Sequence, residues 1–189
     1  MDRQKIEAAV RDLLVGIGED PNREGLVETP ARVARMYEEI FAGISLTNDQ
    51  IAAMFCKMFS EDVSNDIVVV RDIPCFSWCE HHMALMYNMK ISIGYLPAGK
   101  VLGLSKLARC VSGYARRPQL QERLTQQIAD AIVDRLDARG VLVVLQAEHS
   151  CMNMRGIRAA GSLTVTSAVR GWFKEDLKAR EEAQRLIGL

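Results

Sequence analysis

Asp66-Ile67-Val68-Val69-Val70 interrupts a chain that up to that point reads as helix. Four β-branched residues in a row are stiff at χ1 and pack well on a pleated surface, so the run predicts a buried strand. From Met89 to Tyr95 apolar and polar positions alternate, and the pattern stops at Leu96-Pro97-Ala98-Gly99. That is a second strand with its turn. Ser105 opens a helix that runs through Tyr114. Pro118 introduces a longer one, with Leu120, Leu124, Ile128, Ile132, Val133 and Leu136 on one face and Gly140 as its stop. Val141 to Leu145 and Leu163 to Val169 read as the third and fourth strands, and a charged helical tail covers residues 174–187. The order is β-β-α-α-β-β. Two strand pairs flanking a helix pair predict an α+β unit, an antiparallel sheet with helices on one face.

Upstream, Ile6, Val10, Leu13 and Leu14 lie at helical spacing within residues 3–15, and Gly16 and Gly18 end that helix. Thr29-Pro30 starts a second, with Thr as N-cap and Pro at the first helical position. Its apolar stripe is Val33, Met36, Tyr37, Ile40 and Phe41, and Gly43 closes it. A third helical stretch over residues 47–59 carries Ile51, Met54, Phe55 and Met58. No repeat or linker is visible. The simplest division is an N-terminal helical region, 1–64, and a domain over 65–189, together one folded unit. A four-stranded sheet leaves two open edges, and pairing them between subunits predicts a homo-oligomer.

The 189 residues suffice for a sizeable core, and 49% apolar with 25% charged is ordinary for a globular protein. A net charge of zero argues against a general nucleic-acid-binding surface. The N-terminus lacks a signal-peptide core, and no run approaches the roughly 20 apolar residues of a membrane span. Five cysteines, an odd number, do not suggest a disulfide framework, so a cytoplasmic home is expected.

All three histidines fall in two short segments, Cys79-Glu80-His81-His82 and His149-Ser150-Cys151. Cys79 and His82 have metal-ligand spacing, and Cys151 supplies a third soft donor. Three Cys/His ligands without a fourth describe a catalytic zinc site, where the metal lowers the pKa of water to about 7. Cys56, Cys75 and Cys110 read as packing residues, Cys75 with some claim as a ligand because it lies four residues before Cys79. His81 and His149 are not needed as ligands. Each suits general acid–base work near neutrality, and each could instead orient a neighbour.

Ser105-Lys106-Leu107-Ala108-Arg109 begins a helix, and Lys106 and Arg109 share one face. A helix start with two cations suits phosphates, although most such pairs are simply solvated. Arg155 and Arg158, and also Arg116-Arg117, are further cations. Glu122, after Gln121, could accept the paired N–H groups on guanine's Watson–Crick edge. Its residue type and position fit slightly better with a helix-start carboxylate complementing the dipole.

The motifs Cys79-Glu80-His81-His82, Gly103-Leu104-Ser105-Lys106-Leu107-Ala108-Arg109, Ala115 through Thr125, Cys151-Met152-Asn153-Met154-Arg155-Gly156 and Gly161 through Ser167 closely resemble GTP cyclohydrolase I. Gly18-Glu19-Asp20-Pro21 and Thr29-Pro30-Ala31-Arg32-Val33 extend the resemblance over nearly the whole chain. It implies the tunnelling fold, and a decamer of two facing pentamers with active sites at subunit boundaries. It implies conversion of GTP to 7,8-dihydroneopterin triphosphate and formate, opening tetrahydrofolate or tetrahydrobiopterin synthesis. Cys79, His82 and Cys151 match the ligands of one Zn2+ per subunit, whose activated water attacks C8 of the purine. His81 and His149 match the proton-transfer residues, and Ser105 the residue implicated in opening the ribose. Lys106, Arg109 and Arg155 match the triphosphate cations. Gln121 and Glu122 match the guanine-recognising position, which reverses the preference for a mere helix-start carboxylate.

The chain departs from the family pattern in two places. After His82 it has Met83-Ala84-Leu85-Met86-Tyr87-Asn88-Met89-Lys90 where the family has Pro-Phe and then Gly-Lys, one residue shorter. Gln146-Ala147-Glu148 precedes His149, where Glu-Ala-Thr is usual, and Ser150 follows it where Met is usual. These differences leave a paralogue acting on a pterin or related purine as an alternative. A non-catalytic regulatory subunit is disfavoured, because no ligand or histidine is missing.

Overall fold

The β-branched run at 67–70 is the start of a much longer strand. The computed structural model describes residues 1–55, 58–60, 64 and 66–189, which form two compact units, Met1–Ala42 and Gly43–Leu189. The first unit pairs α1 (Arg3–Gly16) with α2 (Thr29–Ile40). Asp2 caps α1 by accepting from the Lys5 N–H at 3.0 Å, and Pro30 sits in the first turn of α2. Glu28 rather than Thr29 takes the N-cap position, without a side-chain bond.

In the second unit, α3 (Asn48–Ala52) begins with a capping box between Thr47 and Gln50. The helix expected over 47–59 is not continuous. It gives way to a 3₁₀ turn, Ala53–Phe55, and Met58–Phe59 forms β1, paired with β4 (Val101–Leu102). Spacing favoured a helix, but strand pairing with a distant segment overrode it. Cys56 lies outside the described residues.

The main strands are β2 (Val68–Cys79), β3 (Ala84–Leu96), β6 (Gly140–His149) and β7 (Thr164–Gly171). Between them run α4 (Leu104–Ala115), β5 (Pro118–Gln119) and α5 (Gln121–Leu136). A short α6 (Ser150–Asn153) follows β6, and α7 (Trp172–Glu175) and α8 (Leu177–Ile187) end the chain. The sheet order is β5-β2-β3-β6-β7, antiparallel except for β5, which runs parallel to the end of β2. The expected β-β-α-α-β-β order therefore holds, with β5 as an added stub. Pro118 does not start a helix. It occupies an edge strand, where proline's missing N–H costs no ladder bond, and α5 begins at Gln121.

β2 outruns its sequence signal because Asp72, at φ 53°, makes an irregularity between Val70 and Ile73 that lets pairing resume. Cys79 is therefore the last residue of a strand, not part of the following turn as expected. His149 likewise ends β6, four residues beyond the expected Leu145.

On one face of the sheet, Ile91, Ile93, Tyr95, Val141, Val143 and Leu145 pack against Leu107 and Val111 of α4 and Leu124, Ile128 and Ile132 of α5. The alternate residues Leu96, Leu142 and Val144 point to the other face. There Phe173, Ala183 and Ile187 cover them, so the charged tail is an amphipathic lid on the second face. Among the described residues no helix is long and apolar enough to cross a membrane.

Register gathers the chemistry at one rim. Cys79 pairs with Ala84 and Met86 with His149, so residues 80–83 and α6 emerge side by side. The C-terminus of α4 is tied to this rim, where the buried Ser77 Oγ donates to Ala115 O at 2.8 Å. The 12 residues of α4 put its N-terminus about 16 Å away.

Phe173 is fully buried at the centre of the second core. Phe173→Ala should lower stability by about 3–5 kcal/mol, read as a fall in the urea midpoint. Loss within about 0.5 kcal/mol, the usual range for surface positions, would mean that α7 and α8 do not close that face.

Candidate active site

Ligand atoms of Cys79, His82 and Cys151 lie within 4.8 Å of one another, although 72 residues separate Cys79 from Cys151. They come from the end of β2, the turn after it and α6. They line a cleft of about 220 Å³ together with His81, His149, Met86, Gln119, Leu120, Gln121, Glu122 and Met152.

The donor set fits a soft divalent cation. The Cys151 thiol is pushed above its ordinary range, by burial first and then by Cys79 beside it. Two adjacent thiolates repel, and a cation bound to both removes that penalty and deprotonates them. Cys75 and Cys110 do not join the group. Burial raises the Cys75 thiol to about 11 and pushes Cys110 up as well.

His149 is held by a buried network. Its Nε2 is 2.7 Å from Gln121 Oε1. The Gln121 amide nitrogen donates to Leu145 O at 3.2 Å and Thr164 O at 3.0 Å, so Oε1 must accept, and His149 Nε2 carries the proton. Burial lowers the His149 pKa and so favours the neutral ring, an effect the Glu122 charge partly offsets. A neutral ring with Nε2–H leaves Nδ1 as its free lone pair. Thr125 and Thr166 complete the network, their hydroxyls 2.6 Å apart. Thr125 lies in the Ala115–Thr125 motif and Thr166 in Gly161–Ser167, and neither carries a role implied by the resemblance. Their signal would have been a hydroxyl recurring on a buried face.

Gln121 is only 2% exposed and its amide is fully committed. Glu122, one residue on in the first turn of α5, is exposed and faces the cleft. The turn carrying His81 and His82 is tied down by Glu80, which pairs with Arg123. That contact holds the Glu80 carboxyl below its usual range. Arg123 also donates to Gln119 Oε1 at 3.1 Å, and Gln119 O accepts from the Glu80 N–H at 3.1 Å. Arg155 reaches the cluster and donates to His82 Nε2. Ser105, Lys106 and Arg109 do not line this cleft; the first two stand at the far end of α4 and Arg109 midway along it.

The GTP cyclohydrolase I family profile matches residues 6–188. The chain belongs to the GTP cyclohydrolase I family. The GTP cyclohydrolase 1 of Carboxydothermus hydrogenoformans is 56% identical over 189 residues, covering 100% of this chain and 96% of that one. That of Desulforamulus reducens is 58% identical over 187 residues, covering 98% and 97%. That of Mycobacterium tuberculosis is 54% identical over 188 residues, covering 98% and 91%. Membership makes the chain a hydrolase acting on a cyclic amidine, and its β-β-α-α-β-β order is that of the tunnelling fold. Residues 86–90 of β3 pair with 146–149 of β6, with Tyr87 opposite Glu148.

If the three donors form one site, Cys151→Ala should abolish metal retention after gel filtration, measured by elemental analysis. Cys110→Ala, removing a thiol buried elsewhere in the core, should leave metal content unchanged.

Proposed function

We propose that the chain converts GTP to 7,8-dihydroneopterin triphosphate and formate, with Cys79, His82 and Cys151 holding one zinc ion per subunit. The carrying observation is the convergence of these three donors in one cleft with Glu122 and a hydrogen-bonded His149. Zinc bound there would supply a Lewis acid and a water that is nucleophilic near neutral pH.

The side chains divide the remaining work. The Glu122 carboxylate accepts from guanine N1–H and the exocyclic amine, which selects the base and orients its imidazole ring. Gln121, committed to His149, contributes by holding that ring rather than by reading the base. His149 moves a proton through Nδ1, and His81, on the ligand turn, is the second proton-transfer group. Together they serve protonation at N7 and opening of the ring at C8. Ser105 assists opening of the ribose, and Lys106, Arg109 and Arg155 hold the triphosphate. That cation set favours GTP over an unphosphorylated pterin.

These roles require more than one copy. A cleft of about 220 Å³ is small beside the 300–1,000 Å³ usual for ligand sites. Ser105 and Lys106 lie about 14–15 Å along α4 from its end at Ala115, and Arg109 about 9 Å. A decamer of two pentamers with shared sites would bring the α4 start of one copy to the cleft of another. The open edges, β7 and the part of β2 that β5 leaves uncovered, support such pairing. We place this activity in the cytoplasm, at the opening of tetrahydrofolate or tetrahydrobiopterin synthesis.

Incubating zinc-loaded protein with GTP should release formate and a product that fluoresces after oxidation, in equal amounts. Formate without pterin would mean that the ring opens but does not rearrange; neither product would refute the reading.

Neutralising Lys106 should weaken GTP far more than guanosine, whereas Glu122→Ala should weaken both, measured by inhibition and KM. His149→Ala should keep zinc and lose on the order of 10²-fold in kcat. Near-normal turnover would reduce His149 to an orienting role.

A further inference from the structure

α6 carries Cys151 yet has only four residues, none of them buried. So short a helix does not hold itself together, and it has little apolar packing to fix it. Its position comes from hydrogen bonds to β3 on both sides of Cys151. Before it, Ser150 Oγ donates to Leu85 O at 2.8 Å. After it, Asn153 Nδ2 donates to Tyr87 Oη at 2.7 Å. Tyr87 O–H in turn donates to Glu148 Oε2 at 3.2 Å, and Asn88 Nδ2 donates to Glu148 Oε1 at 2.8 Å.

The direction of this chain is determined by its end. An ionised carboxylate only accepts, so it orients the tyrosine O–H toward itself and leaves the tyrosine lone pair for Asn153. The backbone is shaped for it as well. Neighbouring strand residues normally point to opposite faces, yet Tyr87 and Asn88 reach the same carboxylate. Asn88 has φ 48°, and between the pairs Tyr87–Glu148 and Lys90–Gln146 β3 carries one residue more than β6. This bulge re-aims Asn88.

We propose that Glu148, Tyr87 and Asn153 are positioning residues for the metal. Their directed chain holds α6 so that the Cys151 sulfur stays within reach of Cys79 and His82, and it governs how long the ion is retained. The proposal rests on Cys151 being a ligand. Groups that orient metal ligands commonly change affinity by 10–100-fold when removed.

The test uses zinc-loaded full-length protein, with Tyr87→Phe, Glu148→Ala, the double variant and Cys151→Ala. The rate at which a chromophoric chelator strips zinc is followed, together with the thiolate-to-cobalt band of the Co(II)-substituted protein. Each single variant should release zinc about 10–100-fold faster and weaken the cobalt band. The double variant should be no faster than the faster single one, since one chain is cut once or twice. Tyr87→Phe removes a single oxygen and keeps the ring, so the test stands even if Glu148→Ala folds poorly. Wild-type release rates and an unchanged cobalt band, with Cys151→Ala losing zinc, would overturn the positioning role alone. Multiplying effects in the double variant would also overturn it, as independent contacts. Zinc retained by Cys151→Ala would overturn the ligand set and this proposal with it.

Discussion

The register between β2, β3 and β6 is the constraint on which the rest depends. Cys79 opposite Ala84 and Met86 opposite His149 bring the end of β2, the turn after it and the end of β6 to one rim. A one-residue slip in either pairing would send these side chains to the wrong face. The register is protected by burial on both faces. Ile91, Ile93, Val143 and Leu145 face α4 and α5, and Leu142 and Val144 face α7 and α8. Besides the site residues they carry, the helices serve function by keeping the strands from sliding.

On that rim the polar groups are arranged so that each restricts the next. Gln121 donates into the β6 and β7 backbones, which forces its oxygen toward His149 and determines which ring nitrogen is free. Glu80, paired with Arg123, holds the turn that bears His81 and His82. Leaving the buried Gln121 amide unpaired would cost about 1–3 kcal/mol per group, so this part of the site also belongs to the fold's stability. The two thiols beside each other are the exception. They are unfavourable as a pair of thiolates, and a bound cation would remove that repulsion.

Much of this was legible in the residues. The β-branched run, the alternation from Met89 to Tyr95 and the helical stripe of 120–136 carry their periods openly, and the β-β-α-α-β-β order followed from them. The candidate donor group of Cys79, His82 and Cys151 was legible because cysteine and histidine are rare and concentrated. What escaped notice depends on long-range pairing. Met58-Phe59 shows helical spacing but pairs with Val101–Leu102. Pro118 resembles a helix start but completes a sheet edge. The long reach of β2 is hidden by Arg71-Asp72 and Pro74, which a bulge accommodates. Gln121 looked like part of the guanine-reading pair, yet its amide serves His149. No local pattern reveals where a buried amide spends its bonds.

In the proposed assembly, the metal rim of one chain and the α4 start of another make one site. Mixing subunits tests it most directly. Cys151→Ala and Lys106→Ala proteins, each of low activity, are dissociated, combined in equal amounts, reassembled with zinc and assayed for formate release from GTP. Random assembly leaves about a quarter of shared sites with both intact halves, so activity should rise toward a quarter of wild type. Activity no greater than the sum of the two separate variants would contradict the claim, because each site would then take both halves from a single chain.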